Sequence, residues 1–215
     1  MIKPSFAAFF FAASFGLGLG AIHASIKDQP SKAVIIAYIQ TTPEIIIENT
    51  DYEETISPEI LALRDAMFND MEKLNLEPLL KMQYVDEILK QSFLHNIDPK
   101  LVYATIYVES TFNEDAEHKP TYVRKLRKEV QALGLGGVVW EFWGSYLLKH
   151  TTLTQKSDLK DPIKNIEATA AILGHLASYE IHPRAKTPEE SASIRYYGAH
   201  SSKYLKKIKR RVQNI

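Results

Sequence analysis

Apolar residues recur at helical spacing through most of the chain, and two of these segments start with a polar residue followed by proline. Ser57-Pro58 opens the first, with Ser as N-cap and Pro in the first turn, and Ile60, Leu63, Met67, Met71 and Leu74 run along it as a stripe. The stripe predicts an amphipathic helix, either packed on the rest of the chain or offered to a partner. Tyr84, Val85, Ile88, Leu89 and Phe93 give the next helix its inner face, and His95-Asn96-Ile97 ends it. Asp98-Pro99 then restarts the chain as N-cap and first-turn proline. From there Leu101, Val102, Tyr103, Ala104, Ile106, Tyr107 and Val108 form a segment apolar nearly all round, which predicts a buried central helix. Further helices are expected over 122–132, 138–149, 162–180 and 188–197, and from Ser202 to the end. No segment alternates with period two for long and no internal repeat is visible, so the expected fold class is mainly α.

The first carboxylate on the buried helix is Glu109, in the segment Tyr107-Val108-Glu109-Ser110-Thr111-Phe112-Asn113. A carboxyl at the end of an apolar helix is partly removed from water, which disfavours its charged form and suits it to act as a general acid. The ordinary alternative is a helix-end Glu in a surface ion pair. Glu114, Asp115 and Glu117 follow in a polar loop, and Glu141 lies among Val138, Val139, Trp140, Phe142 and Trp143. Glu141 is the one rival acid, unless it sits on the wet side of its helix.

Downstream of Glu109-Ser110 come, in order, Ala132-Leu133-Gly134-Leu135-Gly136-Gly137, Asn165-Ile166-Glu167-Ala168 and Arg195-Tyr196-Tyr197-Gly198. Together these resemble the transglycosylase SLT domain, the lysozyme-like lytic transglycosylases, over residues 80 to 210. The resemblance implies a lysozyme-like helical domain at 78–215, preceded by an N-terminal extension at 25–77 that carries one amphipathic helix. It also implies a peptidoglycan lytic transglycosylase that cleaves the β-1,4 bond between N-acetylmuramic acid and N-acetylglucosamine. Glu109 would be its single acid and base, and the sugar's own C6 hydroxyl would close a 1,6-anhydro ring. Ser110 would hydrogen-bond within the site, and Tyr196 would orient the Glu or the sugar. Tyr197 stands where the family commonly has Asn. Gly136 and Gly137 stand where the family has Met and Gln, and together with Ser110, Tyr196 and Tyr197 they are the expected substrate-binding positions. The two glycines form either a flexible turn or a groove wall of bare backbone. The stretch from His118 to Lys125 reads as an insertion flanking the groove, while Trp140 and Trp143 suit core packing or stacking on sugar rings. The resemblance calls for no cofactor and no metal. A hydrolytic muramidase and a catalytically silent module that binds glycan or an assembly partner remain as alternatives.

Composition narrows the setting. The 215 residues, 45% hydrophobic and 24% charged, fit one soluble globular domain with extensions. There is no cysteine, so disulfides and thiolate metal sites are excluded. The histidines at 95, 118, 150, 175, 182 and 200 show no His-Glu-x-x-His spacing, which argues against a zinc peptidase. Lys3 precedes an apolar or small-residue run from Phe6 to Ile22, and Ala24 and Ser25 offer a cleavage point, so residues 1–24 read as a signal peptide. The run is also near the length of a membrane anchor. Either reading places the remainder outside the cytoplasmic membrane, in the periplasm. Residues 25–56, with Ala33 to Ile39 and Ile45 to Ile47 apolar, read as a lead-in with one or two short strands or turns.

The formal net charge is zero, but residues 1–118 hold 8 Lys and Arg against 18 Asp and Glu, and residues 119–215 hold 18 against 8. The basic half suits an anionic polymer such as peptidoglycan, or else the two halves attract each other within one fold. The cluster Lys203, Lys206, Lys207, Lys209, Arg210 and Arg211 alternates with Leu205, Ile208 and Val212, as in a terminal helix docked by one face. The expected partners are therefore glycan strands and an envelope-spanning or wall-remodelling machinery. Nucleic acid is not expected, and a membrane only if the N-terminal segment stays attached.

Overall fold

The computed structural model describes residues 57–116, 118–198 and 202–215. The expected signal peptide and the lead-in at 25–56 lie outside the described residues. Within them the chain forms seven α-helices and one small hairpin. In chain order these are α1 (Pro58–Asp70), α2 (Pro78–Leu94), α3 (Pro99–Ser110), β1 (Thr121–Val123), β2 (Lys128–Val130), α4 (Trp140–His150), α5 (Pro162–Ala177), α6 (Pro188–Tyr197) and α7 (Ser202–Gln213). Short 3-10 turns at Met71–Lys73 and Lys156–Lys160 extend α1 and precede α5. Among the described residues no helix is long and apolar enough to cross a membrane.

Six of these helices begin as the sequence patterns indicate, and proline stands in the first turn of α1, α2, α3, α5 and α6. The Asp98 carboxylate accepts from Lys100 N at 2.8 Å, Asp161 caps α5 from Ile163 N at 2.9 Å, and Thr187 caps α6 from Glu190 N at 3.2 Å. These bonds satisfy backbone donors that have no partner inside the helix. Ser57 departs from expectation. It holds the N-cap position of α1, but its hydroxyl donates to Glu59 at 2.6 Å and makes no cap bond.

α5 is the hub of the fold. Its residues 165–173 are buried without interruption, and it packs against α2, α3, α4 and α6. The expected central helix, α3, is buried without interruption from Leu101 to Ile106 and packs against α5, α2 and α7. The stripe on α1 faces inward: Met67 and Met71 are fully enclosed, and Arg64 pairs with Asp86 of α2 at 2.7 Å. The helix expected at 122–132 is replaced by the antiparallel hairpin, in which Thr121 pairs with Val130 and Val123 with Lys128. Only Val130 of the paired residues is buried, so the segment has no apolar stripe with which a helix could dock. A tight turn with Arg127 at φ 52° suits its Thr, Tyr and Val residues to pairing instead.

α3 ends in a left-handed turn without glycine. Thr111 (φ 56°) and Phe112 (φ 58°) both occupy this region, which costs on the order of 1 kcal/mol each. The turn drives Phe112 into the core, fully enclosed and packed against Tyr103 at 5.0 Å and Tyr84 at 6.1 Å. Burial of an aromatic ring offsets the strain, and the ring fixes the last turn of α3. Phe112→Ala should lower unfolding free energy by about 3–5 kcal/mol in urea denaturation. A loss below about 1 kcal/mol would show that the turn is held by something else.

Candidate active site

Glu109 lies on the last turn of α3, half-buried, and its surroundings come from four separate stretches of chain. The first is the loop Gly134–Gly137, closed by paired backbone bonds between Leu133 and Val138 at 2.9 Å and a Gly137 N to Gly134 O bond at 3.1 Å. Gly134 (φ 68°) and Gly137 (φ 65°) are in the left-handed conformation that glycine adopts without cost. A methyl group on Gly137 would lie 2.9 Å from Glu109 Oε2 and 3.1 Å from His118 Cε1. The bare backbone of Gly137 therefore presses on both the carboxylate and the imidazole.

The loop is anchored to α5. Asn165, fully buried, accepts from Gly136 N at 2.8 Å and donates to Leu133 O at 3.0 Å and Leu159 O at 2.8 Å. Thr169, one turn on, lies so close to Gly136 that no side chain fits between them. The Tyr196 hydroxyl of α6 donates to Gly136 O at 2.8 Å. Gly136 is thus held from both α5 and α6, and Gly134 lies against Asn165.

The remaining neighbours are His118, Tyr204 and Lys207. His118 bonds through Nε2 to Gly134 O at 3.1 Å, and its own carbonyl accepts from Gln131 at 3.0 Å, which pins the base of the hairpin to the glycine loop. The Tyr204 hydroxyl of α7 acts on the Glu109 carboxylate and favours its charged form. Burial pushes the Glu109 carboxyl above the usual carboxylate range, while the Tyr204 hydroxyl and the electrostatic influence of His118 and Lys207 pull the other way, and burial prevails. Burial, followed by the Glu109 charge, likewise drives the Tyr196 and Tyr204 phenols well above the ordinary value, so both remain donors.

The expected site residues divide. Glu109, Gly136, Gly137 and Tyr196 come together around one carboxylate. Tyr197 reaches them indirectly: it is 47% exposed and stacks on Tyr204 with ring centroids 4.4 Å apart. Ser110 is buried and its hydroxyl donates to Ile106 O at 3.2 Å, back along its own helix. Glu141 is ion-paired to Lys156 at 2.8 Å. Burial raises its pKa, but the Lys156 bond and the nearby Lys128 outweigh that and hold the carboxyl below its usual range. Glu114 is bonded to the Tyr84 hydroxyl. Trp140 and Trp143 are half-buried against the core, Trp140 lying over Gly144 and Trp143 edge-on to Tyr146 and His175. Sequence reasoning did not assign Tyr204 to the site. Its signal was present, since Tyr204 lies four residues before Ile208 on the buried face of α7.

Residues 87–182 match the protein family described as the Transglycosylase SLT domain. The match covers somewhat under half of the chain and supports the transglycosylase SLT domain family, and the mostly helical fold is consistent with that family's lysozyme-like one. The matched stretch holds Glu109, the glycine loop and Asn165, whereas Tyr196 and Tyr204 lie beyond it. No curated protein and no solved structure matches the chain.

Two outcomes follow from this geometry. Asn165→Ala should destabilise the protein by about 3 kcal/mol or more in urea denaturation, because three backbone groups lose their partner at once. A loss no larger than that of one exposed hydrogen bond would refute the anchoring role. Because the Glu109 pKa is raised on folding, the folded state binds the proton more tightly, and stability falls as pH rises from the usual carboxylate range through the raised value. Glu109→Gln should therefore melt at a higher temperature than the native protein near neutral pH, and the gap should close in acid. Equal melting at both pH values would show that the carboxyl carries no burial cost.

Proposed function

We propose that the protein is a peptidoglycan lytic transglycosylase in which Glu109 serves as both acid and base. The observation that carries this reading is a single half-buried carboxyl whose proton is retained by burial and whose carboxylate has donors waiting for it. Glycoside cleavage needs an acid for the leaving oxygen and a second group for the oxocarbenium-like centre. Glu114 and Glu141 are tied to Tyr84 and Lys156, so neither supplies that second group. A sugar that furnishes its own nucleophile needs none.

In this scheme the protonated Glu109 gives its proton to the oxygen between N-acetylmuramic acid and N-acetylglucosamine as that bond breaks, and the N-acetyl oxygen assists at C1. The Tyr204 hydroxyl and the electrostatic influence of His118 and Lys207 stabilise the carboxylate left behind. Glu109 then takes the proton of the C6 hydroxyl as O6 bonds to C1, which restores the acid and closes the anhydro ring. Intramolecular attack of this kind has an effective molarity on the order of 10⁵ M or more when well oriented. The bare backbone of Gly137 lets the glycine loop lie directly against Glu109, and the exposed face of Tyr197 suits ring stacking. The proposal includes export by residues 1–24, since the polymer lies outside the cytoplasmic membrane.

The test is mass spectrometry of muropeptides released from purified sacculi. The native protein should release anhydromuramyl products, and Glu109→Gln should release them at least about 10³-fold more slowly while remaining folded. Products heavier by one water would replace this reading with a hydrolytic muramidase. No products from folded native protein would leave a glycan-binding module, the role the absent Met and Gln side chains would then explain.

A further inference from the structure

α7 divides its cations by face. Arg211 pairs with Asp70 of α1 and Lys209 with Glu190 of α6, while Tyr204 and Ile208 are buried against the domain. The remaining four, Lys203, Lys206, Lys207 and Arg210, are exposed, and their helical spacing sets them in a single stripe along the helix. None of the four makes an ion pair among the described residues. Like charges at this spacing repel one another, so the stripe gains from an anionic segment that lies along it.

The chain itself carries such a segment. Glu48, Asp51, Glu53 and Glu54 fall close together, and no Lys or Arg occurs between Lys32 and Arg64 to neutralise them. This run lies outside the described residues, but it ends just before Ser57, the N-cap of α1. α1 is 13 residues long and so spans about 20 Å, and at its far end Asp70 meets Arg211 of α7. The extended chain from Asp51 to Ser57 also covers about 20 Å, so the run can pass back along α1 and reach the stripe. We propose that the acidic run at 48–54 docks on the stripe of Lys203, Lys206, Lys207 and Arg210 and pairs its carboxylates with these cations. The contact joins the acidic and basic halves of the chain beside the pair of Arg211 and Asp70, and it holds whatever reaction Glu109 performs.

The test is zero-length carbodiimide cross-linking of the full chain at low salt, with the coupled peptides identified by mass spectrometry. An equal mixture of unlabelled and isotope-labelled protein separates coupling within one chain from coupling between two. The expected result is coupling of Glu48, Asp51, Glu53 or Glu54 to Lys203, Lys206 or Lys207 within one chain. The coupling should be lost in about 1 M salt, where the screening length falls to about 3 Å. Arg210→Glu reverses a charge of the stripe without removing an amine that can couple, and it should lower the yield about threefold or more. Arg210 is exposed, so the variant should fold, and circular dichroism checks that it does. Coupling to Lys119 or to Lys125 of the hairpin instead, or coupling only between chains, would overturn the contact. A yield unchanged by Arg210→Glu or by salt would overturn it too, as would the absence of any coupled peptide.

Discussion

The buried amide of Asn165 carries the contact on which the site depends, because it joins three otherwise separate backbone groups: Gly136 N, Leu133 O and Leu159 O. A glycine-rich loop has no side chains to hold it and has more conformational freedom to lose than any other segment of its length. Here that freedom is removed from the α5 side, by Asn165 and by the close approach of Thr169, and from the α6 side by the Tyr196 hydroxyl. Once fixed, the loop sets the distance between α5 and Glu109. The hub helix, buried along nine consecutive residues, is rigid enough to serve as the reference for everything attached to it.

Opposing influences then decide the state of Glu109. Burial against the glycine loop keeps the proton on, and the Tyr204 hydroxyl, His118 and Lys207 favour taking it off. A carboxyl subject to only the first would be a reluctant base, and one subject to only the second a poor acid. The two sets of neighbours come from different elements. α3 supplies the carboxyl, the loop removes water, and α7 and the segment before the hairpin supply the donors.

α7 also explains the uneven charge along the chain. Of the ion pairs among the described residues, Arg211 with Asp70 joins the acidic first half to the basic second half, and Asp70 also accepts from the Tyr103 hydroxyl at 2.6 Å. This contact fastens the C-terminal helix to the end of α1 across the face of α3. The ion pairing between halves is thus concentrated at one point, and of the other cations of α7 Lys209 pairs with Glu190 of α6 while Lys203, Lys206, Lys207 and Arg210 are exposed.

The sequence by itself determined the seven helices, the cap at Asp98, the burial of α3 and the position of Glu109 on its last turn. These are local properties, set by spacing, proline and the order of polar and apolar residues. It did not reveal the hairpin at 121–130, because two strands of three residues are too short to show an alternating pattern. Nor did it distinguish Ser110, whose hydroxyl turns back to Ile106, from Tyr204, which lies about a hundred residues from Glu109 and yet acts on its carboxyl. Pairings across such separations depend on how α7 lies against α3, and side-chain periodicity within one helix contains no information about its neighbour's register. The meaning of Gly136 and Gly137 was decided in the same way. Only the packed structure shows that a side chain at either would meet Thr169, or Glu109 and His118.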